Sequence, residues 1–392
     1  MQTIFLGLGR LSHASDILRS PLLQALADRY RVVVLSTHLD NTTAEKERFL
    51  AHQHISYVKI KETNERFFGY SNRYFRLSLI HRYDSWLLTR HWYYRKNHPL
   101  IIRLTMQFGK ILPRQIFDAE LFTKLETFFA KKSPALEALI QKEKPVAMVT
   151  ATPGYTTLEA ELIIVARRHR IPSIAIDINY DNAYSQAKFV RRTDYISVWN
   201  NRMKKEIGDA HGYAESHIRA VGCLRFDHYA NDQKRKLLSR EEFLVSKGLN
   251  PKKPLVVYVG PSPITYPPRG TFAKGFIELK EQHLLKPDPN ILIRLHPHDV
   301  WEPYEPFTNI PEVRIERAGK QRVKDQLTKG QKVEMDDEDL VNLTETLRYA
   351  DVVINYVSTM IIEACIFDKP VISVGYPSEL AIANDYEFNK AL

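Results

Sequence analysis

A chain of 392 residues is too long for one ordinary hydrophobic core and suits two domains. Hydrophobic residues at 44% and charged residues at 26% are ordinary globular values, which excludes disordered and fibrous classes. The formal net charge of +10 points to an anionic partner, and because no RNA- or DNA-binding motif accompanies it, nucleic acid is set aside.

The start, Met1-Gln-Thr-Ile-Phe-Leu-Gly, lacks the basic region and long apolar core of a signal peptide. No apolar run approaches the ~18 residues of a membrane span, so a soluble or peripheral protein is expected. Thr3-Ile-Phe-Leu-Gly-Leu-Gly9 reads as a first strand running into a glycine turn, residues 16–30 as an amphipathic helix, and Arg31-Val-Val-Val-Leu-Ser36 as the next strand. Gly7-x-Gly9 without a third glycine is not a full dinucleotide fingerprint. The intervening loop, Arg10-Leu-Ser-His13-Ala-Ser-Asp16, lies at the carboxyl end of the first strand. Ser15 or Asp16 there would suit a helix cap.

Residues 40–62 read as a helix and a short strand. Between Glu65 and Arg114 ten basic side chains, among them Arg90, Arg95, Lys96 and Arg103, face two acids, so this stretch supplies most of the excess charge. Aromatics such as Tyr70, Trp86, Trp92 and Tyr94 interleave with them. That mixture fits an anionic membrane surface or an anionic acceptor, or else a solvated helical insertion with its aromatics packed inward.

A helical pattern over 115–141 leads to the strand Val146-Ala-Met-Val-Thr150, and Thr152-Pro-Gly-Tyr-Thr-Thr157 opens a helix that ends at Arg170. Pro172-Ser-Ile-Ala-Ile-Asp177 is a strand. Asp177-Ile-Asn-Tyr-Asp181 at its tip is either a turn or an acceptor-binding carboxylate cluster. Strands at 195–199 and 218–222 flank a helix at 200–210 and close the first domain, 1–227. A polar, charged linker, 228–253, precedes the second domain, 254–392. Cys223 and Cys365 fall in separate domains and read as reduced core residues, with no disulfide or metal site.

Leu255-Val-Val-Tyr-Val-Gly260 starts the second domain. Its following loop, Pro261-Ser262-Pro-Ile-Thr-Tyr-Pro-Pro-Arg269-Gly270, offers Ser262 and Arg269 to a phosphate, or is stiffened by its prolines for its own sake. Asn290-Ile-Leu-Ile-Arg-Leu-His296-Pro-His-Asp299 is a buried strand stopped by Pro297. Arg294 and His296 share parity and so point to one side at the strand's carboxyl end, where open parallel sheets bind ligands. Asp337-Glu338-Asp339 is read as acids favouring a helix N-terminus, not as a metal site. Val352-Val-Ile354 is an apolar run without alternation, the mark of a strand covered on both faces. It leads to Ser358-Thr359, where Ser358 is expected to cap a helix whose free N–H groups form a phosphate seat. Thr359 and Glu363 are four apart, on one helix face, with Glu363 a turn deeper.

Arg-Leu-His-Pro, a later strand with Ser-Thr and a helical Glu, then Lys-Pro-Val-Ile, resembles the nucleotide-binding domain of glycosyltransferases with two Rossmann-like α/β domains facing across a cleft, the GT-B fold. The His-Pro and Ser/Thr combination is most similar to the branch of CDP-glycerol glycerophosphotransferases, polysialyltransferases and capsular Kdo transferases, to which UDP-GlcNAc 2-epimerases are related. Val221-Gly-Cys-Leu-Arg-Phe-Asp227 resembles the Gly-x-x-Arg-x-Asp signature at which these chains leave their first domain. The resemblance spans about residues 195–376 and is only general before that. It implies that His296, Ser358 and Thr359 hold donor phosphates and that Glu363 binds ribose; Arg294, from its strand position, and Ser262, from its loop, are expected as further phosphate contacts. It also implies a general base at the carboxyl end of the first strand, His13 first and Asp16 second, with the imidazole titrating near neutrality.

The function implied is inverting, metal-independent transfer of a sugar or polyol phosphate from a CMP-, CDP- or UDP-linked donor to a glycan or lipid-linked acceptor. It would belong to bacterial surface polysaccharide synthesis, capsule or lipopolysaccharide, in the cytoplasm or on the inner face of the membrane. No cofactor is expected beyond the donor. The alternatives are a 2-epimerase, whose acidic and basic set around the sugar is not found in the sequence, and a non-catalytic nucleotide- or membrane-binding protein. Chains of this fold usually continue with a helix or two beyond the position of Leu392, so a shortened tail or a truncation is expected.

Overall fold

A computed structural model describes residues 1–46, 49–64, 100, 104, 108, 120–177, 179–180, 192–230, 236–261, 270–297, 299–317, 319–321, 333–334, 337–355 and 358–374. The chain divides into two units, Met1–Asp227 and His228–Leu392. Among the described residues no helix is long and apolar enough to cross a membrane.

The first unit is built on seven strands: β1 (Thr3–Leu8), β2 (Arg31–Ser36), β3 (Ile55–Lys59), β4 (Ala147–Thr150), β5 (Ser173–Ile176), β6 (Tyr195–Val198) and β7 (Ile218–Ala220). They lie in the order β3-β2-β1-β4-β5-β6-β7 with every pair parallel. β1 is buried at every position, as a strand covered on both faces must be. Among the described residues the helices are α1 (Leu11–Leu18), α2 (Pro21–Ala27), α3 (Asn41–Lys46), α4 (Glu120–Phe129), α5 (Pro134–Glu143), α6 (Thr157–His169) and α7 (Asn201–His211). Phe5, Val33, Leu35 and Met148 from the strands pack with Leu136, Leu158 and Leu162 from the helices into one core.

Three expectations change. Residues 10–16 are not an open loop, because α1 already runs from Leu11 to Leu18 and carries His13 and Asp16. The single helix expected over 16–30 is two, since Ser20 accepts from Leu22 N and Pro21 at the first helical position restarts the chain as α2. In the same way Ser133-Pro134 divides the expected 115–141 helix into α4 and α5.

The second unit opens with the short helix α8 (Asp227–Ala230) and α9 (Arg240–Ser246). Stretch 228–253 is therefore not a bare linker: Phe243 and Leu244 are completely buried, and Ser239 caps α9 through a reciprocal bond with Glu242. Strands β8 (Leu255–Val259), β9 (Asn290–Leu295), β10 (Val313–Arg317), the two-residue pair β11 (Lys320–Gln321) and β12 (Val333–Glu334), β13 (Val352–Asn355) and β14 (Val371–Ser373) come next. The main sheet runs β10-β9-β8-β13-β14, all parallel. Helices α10 (Thr271–Glu281), α11 (Asp337–Tyr349) and α12 (Met360–Ile366) complete the unit, and Tyr258, Ile277, Ile291, Ile293 and Tyr304 form its core.

In each sheet the chain works outward from a first strand on one side and then returns to its other side, so strand order reverses between β1 and β4 and between β8 and β13. The loops beyond the carboxyl ends of those strands diverge there and leave a crevice. In the first unit the crevice wall is tight. A Cβ on Gly9 would stand 1.9 Å from Thr156 Oγ1 and 2.6 Å from Thr156 Cβ. Thr156 is itself the N-cap of α6, accepting from Glu159 N, so it cannot retreat without undoing the cap.

Gly9→Ala should therefore destabilise the first unit by roughly 1–3 kcal/mol, the usual cost of overpacking. Chemical denaturation checks this, and a variant with an unchanged midpoint would show that the β1–α1 turn does not rest on α6.

Candidate functional site

In the second unit the residues of interest gather at the carboxyl edge of the sheet. His296 follows β9 directly and is half-buried. The turn behind it is fixed: Asp299 N donates to His296 O, Tyr304 OH donates to Asp299 Oδ2 at 2.9 Å, and Arg317 donates to Asp299 O. Gly260, after β8, donates to Arg294 O, which brings the β8 and β9 loops together.

Beyond β13, Ser358 Oγ accepts from Met360 N at 3.3 Å, and Thr359 occupies the cap position of α12 in helical conformation without a side-chain cap bond. The cap thus lies one residue later than expected, with Ser358 still supplying the oxygen, and the expected seat of free N–H groups is already filled: Ile361 N donates to Ser358 O, and Ile362 N and Glu363 N donate to Thr359 O. Glu363, one turn on, is 5% exposed, and one of its oxygens takes the hydroxyl of Tyr229 from α8. Tyr229 in turn packs edge-on against Phe367.

At the end of β13 itself, Asn355 has no exposed surface, and neither its Oδ1 nor its Nδ2 finds a partner among the described residues. Leaving buried donors and acceptors unsatisfied costs on the order of 1–3 kcal/mol each, so such groups call for an explanation. This one stands at the β8/β13 reversal, the expected ligand position in an open parallel sheet.

Arg294 is placed differently from the sequence expectation. It has the same parity as His296 but lies inside β9, opposite Glu316 on β10, and is 4% exposed. Its Nη1 is bonded to Glu316, which also holds Lys247 at 2.6 Å and Asn342 at 3.2 Å. Burial raises the Glu316 pKa, and the Arg294 and Lys247 charges more than reverse this, so the carboxyl lies below its ordinary range. Arg294 is thus committed to a buried charge network that joins β9, β10, α9 and α11.

In the first unit the loops beyond β1 and β4 carry a second polar group. Glu159, on the first turn of α6, is completely buried; Thr152 Oγ1 and Thr156 N donate to its Oε2, while Oε1 has no partner among the described residues. Burial is the largest influence and raises its pKa. His13 on α1 is 4% exposed, and its Nδ1 also lacks a partner among the described residues. Burial first, then the Arg10 charge, lowers its pKa from 6.5 to about 3. The near-neutral imidazole expected from a loop position is therefore replaced by a neutral ring.

Asp16, one turn after His13, is held by Arg225 through two bonds, Nη2 to Oδ2 at 2.9 Å and Nε to Oδ1 at 3.3 Å. Arg225 belongs to the Gly-x-x-Arg-x-Asp stretch, where Gly222 takes φ +88° to let the chain turn back.

Ser262, Arg269, Arg90, Arg95, Lys96 and Arg103 lie outside the described residues, as does most of 65–114. Both cysteines are free, but only Cys223 is half-buried, its thiol pushed up to about 12 mainly by burial; Cys365 is exposed, which corrects its reading as a core residue. Tyr229, Glu159, Asn355 and the role of Arg225 were not anticipated. The Thr156-x-x-Glu159 spacing is a visible capping box, and Arg225 stood in a recognised motif. Nothing local marks Tyr229 or Asn355.

No protein-family model matches the chain, and no curated protein matches it in sequence. Among solved structures, the UDP-GlcNAc 2-epimerase of Methanocaldococcus jannaschii is similar at a TM-score of 0.51 and 13% identity, covering 96% of this chain and 84% of that one. The UDP-GlcNAc 2-epimerase of Neisseria meningitidis, solved with UDP-GlcNAc bound, aligns at a TM-score of 0.50 and 10% identity over 100% of this chain and 91% of that one. WaaG, a glycosyltransferase of lipopolysaccharide biosynthesis, aligns at 0.45 and 8% identity over 94% and 80%. The epimerase likenesses show the fold, two parallel-sheet α/β units.

The His13 environment has a measurable consequence. Between pH 6.5 and about 3 the unfolded chain binds a proton at this position that the folded chain does not, so stability should fall as pH drops through that window. One group contributes a slope of at most about 1.4 kcal/mol per pH unit. His13→Gln should flatten the acid limb of denaturation midpoint against pH. An unchanged slope would mean the ring is protonated in the folded protein.

Proposed function

We propose that this chain transfers a sugar or a sugar-like polyol phosphate from a CMP-, CDP- or UDP-linked donor to a glycan or lipid-linked acceptor. The transfer is inverting and needs no metal, and it serves bacterial surface polysaccharide synthesis. The observation that carries this reading is the arrangement along one sheet edge of the second unit: His296 beyond β9, Ser358 and Thr359 beyond β13, and buried Glu363 one turn into α12. An imidazole and the Ser358 and Thr359 hydroxyls suit a diphosphate. A carboxylate held on one side by Tyr229 suits ribose hydroxyls, and the Asn355 amide adds a donor and an acceptor at the same end of β13.

The chemistry divides between the units. A base in the first unit removes the acceptor hydroxyl proton, the resulting oxygen attacks the transferred group, and the bond to the nucleotide's terminal phosphate oxygen breaks. Negative charge grows on that phosphate, and the donors of the second unit stabilise it. His13 is the first candidate base: its ring is neutral at every pH above about 3. The burial that keeps it neutral also makes it a weak base. Asp16 is the second candidate, held by Arg225. Arg90, Arg95, Lys96 and Arg103 are assigned to the acceptor or to an anionic membrane surface, and the protein to the cytoplasm or the inner face of the cell membrane.

UDP-GlcNAc 2-epimerases share the fold, and the reactions separate simply. An epimerase converts UDP-GlcNAc with no acceptor present, whereas a transferase needs one.

Calorimetry with CMP, CDP and UDP tests the donor site. One nucleotide should bind, and His296→Ala and Glu363→Ala should each weaken it by roughly 1.5–3 kcal/mol while circular dichroism stays unchanged. Transfer should persist in EDTA. Absence of nucleotide binding by the wild type, or wild-type affinity in both variants, would contradict the assignment.

A further inference from the structure

The end of α4 presents large apolar side chains to solvent on a rigid mount. Phe128 is 80% and Phe129 65% exposed, and Leu125, at i−3 and i−4 from them, shares their face. The two phenylalanine rings touch each other edge to face, with centroids 5.3 Å apart.

These residues do not sit on a loose tail. Arg168 of α6 donates to the carbonyls of Thr127, at 2.5 Å, and Ala130, satisfying the open end of α4. Ala130 packs against Ala160 and Ile164 of α6. The next residue, Lys131, is clasped by Asn64, which donates to Lys131 O at 3.0 Å and accepts from Lys131 N at 2.8 Å. Asn64 is itself fixed by the buried carboxylate of Glu161. The helix end therefore cannot rotate to bury its phenylalanines without breaking this frame.

From position 124 to 135 the exposed charges have one sign. Lys124 precedes the apolar face, and Lys131 and Lys132 follow, all exposed. The one acid between positions 124 and 135 is Glu126, which is buried. A second copy of the chain packed on this face would bring its own lysines close to these, which like charges oppose. An anionic bilayer instead pairs lipid phosphates with the lysines and takes the rings into the headgroup boundary. Leu100, Leu104 and Phe108, spaced four apart in the basic stretch, are exposed as well.

We infer that the Leu125–Phe128–Phe129 face of α4, with Lys124, Lys131 and Lys132, is a docking platform for anionic membrane lipid. It deepens the membrane-facing part of the proposed function and gives it residues outside the basic stretch named from the sequence. A rigid platform of this kind would fix the orientation of the first unit at the surface where a lipid-linked acceptor is carried.

The test is flotation of the whole chain with phosphatidylglycerol/phosphatidylcholine vesicles and with phosphatidylcholine vesicles alone. The wild type should float with the anionic vesicles, less so in high salt, and hardly at all with the neutral ones. Phe128→Ser with Phe129→Ser should lower partitioning by about tenfold or more. Lys124→Gln, Lys131→Gln and Lys132→Gln should cost about fivefold each, near a hundredfold together. Folding of each variant is verified by circular dichroism.

The inference is overturned if the wild type does not float, if the double serine variant floats like wild type, or if light scattering shows a wild-type oligomer that this variant dissolves. Calorimetry with nucleotide on the same variant keeps the two readings apart. A wild type that floats but binds no nucleotide would sink the transfer reading and leave the platform standing; one that binds nucleotide but does not float would do the reverse.

Discussion

The reversal of strand order inside each parallel sheet is the constraint on which the rest of this structure depends. Because β1 is joined to β2 on one side and β4 on the other, and β8 likewise to β9 and β13, the connecting loops must part at the carboxyl ends of those strands. Backbone groups there have no neighbouring strand to satisfy them, and the helices that begin there, α6 and α12, satisfy their first N–H groups with side-chain and turn acceptors. In the second unit that edge gathers His296, Asn355, Ser358, Thr359 and Glu363. In the first it gathers Gly9, His13, Thr152, Thr156 and Glu159.

What differs between the two edges is how charge is handled. In the second unit Glu316 bridges Arg294 and Lys247 beneath the edge, across β9, β10 and α9, while the edge itself carries His296, Ser358, Thr359 and the carboxyl of Glu363. A buried ion pair of this sort contributes little net stability, but losing either partner would strand a charge. In the first unit burial acts on single groups. It holds His13 neutral and raises the pKa of Glu159, while the Arg225–Asp16 pair ties the last segment of the unit back to α1. An exposed Arg10 acts on both His13 and Glu159, so these two buried groups share an electrostatic environment.

Much of the fold was readable because its strands are continuous apolar runs with clear stops. Ile291 to Leu295 halted by Pro297, and Val352 to Ile354 followed by Ser-Thr, needed only local pattern. The helix over 16–30 was misjudged because amphipathic spacing continues across Ser20-Pro21, although a serine before a proline is itself a restart signal. Parity correctly put Arg294 and His296 on one face of β9 but could not show depth, since the partner that claims Arg294 lies 22 residues away on the neighbouring strand. The same limit hid the Arg225–Asp16 pair, separated by 209 residues, and the Tyr229–Glu363 bond, separated by 134. His13 looked like a titrating loop histidine because burial comes from packing and not from its neighbours in sequence.

The central claim is that the carboxyl edge of the second sheet takes the nucleotide. Hydrogen–deuterium exchange with and without saturating nucleotide reads that edge directly. Slowed exchange is expected at the amide of His296, directly after β9, and over residues 358–363 at the start of α12, with the amides of β1 and β2 unchanged. Protection confined to the first unit, with residues 358–363 exchanging as in the free protein, would contradict it.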